Sequence, residues 1–153
     1  MKHTRNLIGI TGNIATGKSV VRRMLANAGA LGLDADVIGH RMIYPQGPAF
    51  QEVLTAFGGG ILNENGEISR TSLGEIVFKN PDQLAKLEAI VHPAVTDAIQ
   101  KRLAHSQSPL VALEAIKLLE AGLGEICNAV WVSHAPHTTQ LERLMHILSL
   151  IHI

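Results

Sequence analysis

The stretch Gly9 to Val21, "GITGNIATGKSVV", places three glycines within nine residues, directly after an apolar run. The run itself, "NLIGIT" from Asn6 to Thr11, is short, apolar and bounded by glycine, the form of a strand buried on both faces. Beyond the glycines, Val20, Val21, Met24, Leu25 and Ala28 recur at helical spacing, with Arg22 and Arg23 on the other side. A chain that begins with a buried strand, a glycine loop and an amphipathic helix is committed to an α/β architecture.

The rest of the chain keeps that alternation. "ALGLDAD" (Ala30 to Asp36) reads as a second strand, and "LVALEA" (Leu110 to Ala115) and "AVWVS" (Ala129 to Ser133) as two more buried strands. Asn80 before Pro81 is an N-cap followed by proline at the first helical position. The helix it opens is expected to be interrupted by Pro93 after His92 and to be followed by another from about Ala94 to Ala104. Pro136 leads into a last helix through Arg143. Strands separated by helices predict a parallel sheet with right-handed crossovers, flanked by helices as three α/β/α layers. Trp131, within a strand, is expected in the core.

Composition limits the setting. With 153 residues, 46% of them apolar, the chain suits one compact domain. Lys+Arg and Asp+Glu number 13 each, so no net field draws the protein to nucleic acid or to an anionic membrane, and any anion site has to be local. Cys127 is the only cysteine, which excludes an intramolecular disulfide and fits a reducing cytoplasm. The residue reads as packing rather than chemistry, since no partner is suggested by spacing. No apolar segment of signal-peptide form follows "MKHTRN", and nowhere are there about 18 consecutive apolar residues, so neither a secretory leader nor a spanning helix is expected.

Gly12, Asn13, Ile14, Ala15, Thr16, Gly17, Lys18 and Ser19 satisfy G-x-x-x-x-G-K-[ST] between a predicted strand and a predicted helix. Glycines let the backbone curl so that successive N–H groups converge on phosphate oxygens, and the helix start from Gly17 to Val20 adds partial positive charge. Lys18 then reaches the β- and γ-phosphates of a nucleotide, and the Ser19 hydroxyl is placed to hold Mg²⁺. An ordinary glycine turn has no need of a lysine and a hydroxyl side by side at the helix start. Asp34 and Asp36 alternate at the end of the second strand, the edge where ligands sit in an open parallel sheet. One of the two is expected to face the nucleotide and to accept a proton from an attacking hydroxyl. The alternative is a strand-end turn in which Asp36 caps a helix beginning near Val37.

Five segments in order, "IGITGNIATGKS", "LDADVIGHRMIYPQGPAF", "FGGGILNENGEISRTSLGEIVFKNP", "LEAIVHPAV" and "QLERLM", resemble the dephospho-CoA kinase family from Leu7 to Met145. The Asp-Ala-Asp element with His92-Pro93 is more discriminating than the glycine loop. The resemblance implies a P-loop kinase-like domain over residues 1–145 with a helical substrate-binding insertion at about 37–105. The implied reaction is transfer of the ATP γ-phosphate to the ribose 3′-hydroxyl of dephospho-CoA, with Mg²⁺. Asp36 matches the family's catalytic aspartate, Thr11 and the loop residues through Val20 its nucleotide site, and Arg143 a lid arginine that meets the phosphates.

Other positions stay open. Glu114 aligns with a family position that often carries aspartate near the metal, yet the following "IKLLE" lacks the usual proline, and a strand-end acid bonded to backbone is the alternative. His92 lies near the acceptor or caps backbone carbonyls; Arg70 contacts the acceptor or is simply exposed at a helix start. His40 stands where relatives carry Arg or His and is assigned to the substrate. After Arg143 the family continues with more basic lid residues, whereas this chain reads "HILSLIHI", with Ile147 where a second lid arginine is expected. Residues 146–153 are therefore expected to be a truncated or non-native tail, which would weaken turnover. The alternatives in function are another P-loop nucleoside or nucleotide kinase, or a nucleotide-binding module that transfers nothing; no [NT]-K-x-D guanine signature is present.

Overall fold

The computed structural model describes residues 5–151, with side chains described through residue 147. It contains two compact units, one made of residues up to 34 and from 106 onward, the other of 35–105.

The first unit is built on four strands, β1 (Asn6–Thr11), β2 (Leu31–Asp34), β3 (Leu110–Glu114) and β4 (Ala129–Val132), all parallel in the order β2-β3-β1-β4. The register pairs Leu7 with Val111, Ile10 with Glu114, and Asp34 with Glu114, so β1, β2 and β3 finish along one edge. Ile10, Val111, Leu113 and Leu118 have no more than 1% exposure and form its core. Truncating any of them to alanine would cost about 2–5 kcal/mol through lost burial and the cavity left behind.

Helix α1 (Lys18–Asn27) packs on β1, β2 and β3 by only part of its expected apolar face: Val21 and Leu25 are half-buried, beside Arg22. Val20 and Met24 point outward, 50% and 66% exposed, while Arg22 is turned to the sheet edge. Two carboxylates at that edge attract the guanidinium, and Gly32 leaves space for its stem: a Cβ there would sit 3.5 Å from Arg22 Cγ. The expectation for Trp131 also fails. β4 is an edge strand exposed along its whole length rather than the buried strand expected, and Trp131 is 46% exposed on it. The last helix, α6 (His137–Ile151), runs past Arg143 through most of the segment read as a tail. His152 and Ile153 of that segment lie outside the described residues.

The second unit is helical: α2 (Ala35–Met42), α3 (Phe50–Phe57), a 3-10 turn at Gly59–Ile61, α4 (Arg70–Val77) and α5 (Pro81–His105) around Ile38, Val53, Ile61 and Ile99. The Asn80 side chain accepts from the backbone N–H of Asp82 at 3.0 Å and of Gln83 at 3.4 Å, capping α5 as its sequence predicts. Pro93 does not end that helix, which is continuous over 25 residues. Proline removes one i→i−4 bond, but burial of Val95, Ile99 and Leu103 in the following turns and packing of α5 on α2 outweigh the loss. Asp36 is likewise not on a strand. β2 stops at Asp34 and α2 starts at Ala35, so Asp36 sits in a helical first turn and the face alternation expected of the two acids does not apply.

Among the described residues, no helix is long and apolar enough to cross a membrane.

Candidate active site

The loop from Gly12 to Ser19 leaves the end of β1 and closes on the start of α1. Gly12 has φ 140°, and a Cβ there would lie 2.2 Å from the Ser133 carbonyl oxygen, so only glycine fits. Ser133 is fixed in turn: its N–H donates to the Thr11 carbonyl at 2.7 Å and its hydroxyl to the Thr16 carbonyl at 2.8 Å. The Thr11 hydroxyl donates to the Ile116 carbonyl at 3.0 Å. Gly17, at φ 101°, precedes α1 with no side chain capping the helix N-terminus. A helix start without a side-chain cap offers its first N–H groups to an anion.

Lys18 is buried, and its Nζ donates to the Asn13 carbonyl at 2.7 Å, an oxygen that also accepts from the Thr16 hydroxyl at 2.8 Å. Arg143, carried on α6, donates from Nη1 to the Ala15 carbonyl at 3.0 Å. A cleft of about 660 Å³ is lined by Ala15 through Val21 together with Arg143, His146 and Ile147. Ile14 is exposed on the loop, 51% accessible, and Asn13 is exposed beside it.

Glu114, at the end of β3, is 4% exposed. Its carboxylate meets two side chains: Oε1 accepts from the Ser19 hydroxyl at 2.5 Å and Oε2 from Arg22 Nε at 2.7 Å. Arg22 Nη2 lies 3.7 Å from Asp34 Oδ2. Hard oxygen donors next to a phosphate cradle suit Mg²⁺, which is usually held by one or two protein groups and substrate phosphates. Among the described residues, no cluster of three or more His, Cys, Asp or Glu that could hold a metal by protein groups alone occurs.

The remaining predicted residues belong to the helical unit. Arg70, exposed, opens α4 behind the Ser69 cap, and its Nη2 lies 3.1 Å from His40 Nε2, so two positions assigned to the substrate from sequence are neighbours. Asp36 is exposed in the first turn of α2. His92 is half-buried in α5, three residues before Val95, which packs against Gly39. Cys127 donates its S–H to the Leu123 carbonyl at 3.3 Å, and burial raises its thiol pKa above the ordinary 9.0, as suits a packing residue.

Sequence reasoning did not single out Ser133 or the contacts of Arg22. Ser133 could have been found because it follows a strand ending at the same sheet edge as the loop. Arg22 carried a weaker signal, its place one helical turn after Ser19.

A parallel sheet with a glycine loop between β1 and α1, a buried loop lysine and a hydroxyl beside a strand-end acid define a P-loop nucleotide-binding fold. The family model described as dephospho-CoA kinase matches residues 6–149, and the chain belongs to that family. It is 44% identical to the dephospho-CoA kinase of Geobacter metallireducens over 90% of this chain and 70% of that one. It is 41% identical to that of Geobacter sulfurreducens over 92% of this chain and 73% of the other. A crystal structure from Thermus thermophilus superposes with TM-score 0.82 at 32% identity, covering 93% of this chain and 72% of that one. The dephospho-CoA kinase of Campylobacter jejuni, at 16% identity and TM-score 0.57, covers 96% and 97% and shares the fold.

Proposed function

We propose that this chain catalyses transfer of the γ-phosphate of ATP to the 3′-hydroxyl of dephospho-CoA, giving coenzyme A and ADP in the cytoplasm. The observation that carries the reading is the loop at the end of β1, with its buried Lys18 and the Ser19–Glu114 pair, in a chain of the dephospho-CoA kinase family. Thr11 and residues Gly12 through Val20 bind the nucleotide, with Lys18 turning from the Asn13 carbonyl to the phosphates. Arg143, whose guanidinium now sits on the Ala15 carbonyl, neutralises charge on the transferring group. Asp36 orients the acceptor hydroxyl and takes its proton. His40 and Arg70, paired at 3.1 Å, contact the acceptor, with His92 as a further contact.

Ser19 would hold Mg²⁺ through its hydroxyl, and Glu114, assigned to the metal from sequence, would serve it from behind as the acceptor of that hydroxyl. Bound there, the ion would supply charge neutralisation of the phosphates.

ADP release should be measured with dephospho-CoA, with a panel of nucleosides and nucleotides, and with no acceptor. Release that depends on dephospho-CoA alone supports the reading. Equal or greater turnover on a nucleoside would replace it with another P-loop kinase, and nucleotide binding without release would replace it with a binding module.

A further inference from the structure

Arg22 is the one side chain of α1 that forks between two strand-end acids. Nε donates to Glu114 Oε2 at 2.7 Å, and Nη2 lies 3.7 Å from Asp34 Oδ2. The acids are register partners on adjacent strands, so the fork spans the β2–β3 pair at its carboxyl edge. Burial is graded across the group: the Glu114 side chain is 6% exposed, those of Arg22 and Asp34 22% and 20%. Gly32 makes room for the arginine stem. The other oxygen of Glu114 accepts from the Ser19 hydroxyl.

A buried carboxylate that accepts from a guanidinium on one oxygen and from a hydroxyl on the other has both oxygens already engaged. It has a geometric effect instead. By accepting the Ser19 proton, Glu114 fixes the rotor of that hydroxyl and leaves the oxygen lone pairs directed away from the acid.

We propose that Arg22 is a positioning residue for the divalent cation that accompanies the nucleotide, acting by holding Glu114 as the acceptor of the Ser19 hydroxyl rather than as a direct ligand. This rests on the nucleotide-binding reading above. Outer partners of this kind typically change metal affinity or activity by about 10–100-fold when removed. Lysine cannot reproduce the fork, because its ammonium is a point donor.

The test is calorimetric binding of ADP, with excess Mg²⁺ and with chelator, to the full chain, Arg22→Ala, Arg22→Lys, Ser19→Ala and the Ser19→Ala/Arg22→Ala double variant, each with a melting curve. Arg22→Ala should lower the Mg²⁺ enhancement of ADP affinity about tenfold and leave metal-free affinity nearly unchanged. Arg22→Lys should recover part of the enhancement, and the double variant should lose no more of it than Ser19→Ala alone, since both changes break one chain of contacts. If Arg22→Ala does not fold, Arg22→Lys decides alone through the same ratio. An unchanged enhancement in the Arg22 variants, an equal loss with and without Mg²⁺, or a fall in melting temperature with the ratio intact would overturn the proposal. A parent chain that binds ADP while its Arg22 variants show no altered Mg²⁺ response overturns this inference only; a parent chain that binds ADP under neither condition overturns the nucleotide reading as well.

Discussion

Lys18 Nζ donates to the Asn13 carbonyl oxygen at 2.7 Å, so the cation of the loop rests on the loop's own backbone, 6% exposed. Without that contact a buried ammonium would carry a desolvation penalty with nothing to offset it. A nucleotide phosphate is a stronger acceptor than a carbonyl and competes for the same group.

Lys18→Ala should therefore lower phosphoryl transfer by on the order of 10²-fold or more and weaken ATP binding, since charge on the transferring group goes unbalanced. The fold should persist, because the loss is one hydrogen bond at a cleft wall, worth about 1 kcal/mol. Steady-state kinetics with a melting curve checks both, and full nucleotide affinity in the variant would contradict the role given to Lys18.

Asp36 and Asp34 should respond differently. Asp36→Asn keeps the shape but removes the base, and turnover should fall by roughly 10²-fold or more with little change in ATP affinity. Asp36 also lies in the first turn of α2, where a negative charge is worth about 0.3–1 kcal/mol, so a small loss of stability should accompany it. Asp34→Asn, which weakens a contact to Arg22 already 3.7 Å long, should be milder in turnover. Equal kinetic losses at both positions would indicate that the acids serve the strand end rather than the reaction.

These two acids also show where the sequence could and could not be read. The buried strands were legible, because runs such as "LVALEA" between breakers allow little else, and Asn80-Pro81 announced a helix start through its own local chemistry. What failed depended on tertiary contacts. The strand-like look of "LDAD" ended at Asp34, since a helix began at once. The proline rule at Pro93 yielded to the packing of the turns after it. Arg22 of α1 was turned to the sheet edge while Arg23 stayed exposed, because acids from β2 and β3 meet there, and no local pattern encodes that meeting. In the site, the glycine loop with Lys18 and Ser19 was legible as a motif, whereas the closing of the loop by Ser133 required the adjacency of β1 and β4.

Gly12 offers a test of that closing. Its missing Cβ is 2.2 Å from the Ser133 carbonyl oxygen, and Ser133 cannot retreat without breaking its bond to Thr11. Gly12→Ala should destabilise the protein by about 2–4 kcal/mol, through the clash and a φ of 140° that alanine rarely adopts. Chemical denaturation measures it, and an unchanged midpoint would show that the loop closes differently.

The Cys127 thiol gives a prediction in pH. Burial raises its pKa above 9.0, so the folded state binds this proton more tightly than the unfolded chain does. The stability it contributes is fully present below the unfolded value and is lost as pH rises through the higher folded value. Alkylation of the native protein should accordingly be slow at neutral pH and accelerate only above the range of an ordinary thiol, relative to the unfolded chain. Native and denatured rates that coincide across the pH range would show that the half-buried Cys127 thiol is not shielded by the fold.

The central claim is that the phosphate leaves ATP for the 3′-oxygen of dephospho-CoA. It is tested most directly by incubating the chain with γ-radiolabelled ATP, Mg²⁺ and dephospho-CoA and locating the label in the product by chromatography against authentic coenzyme A. The account predicts labelled coenzyme A in step with ADP, and almost none with Asp36→Asn. Label appearing only as inorganic phosphate, or on a nucleoside acceptor in preference to dephospho-CoA, would contradict it.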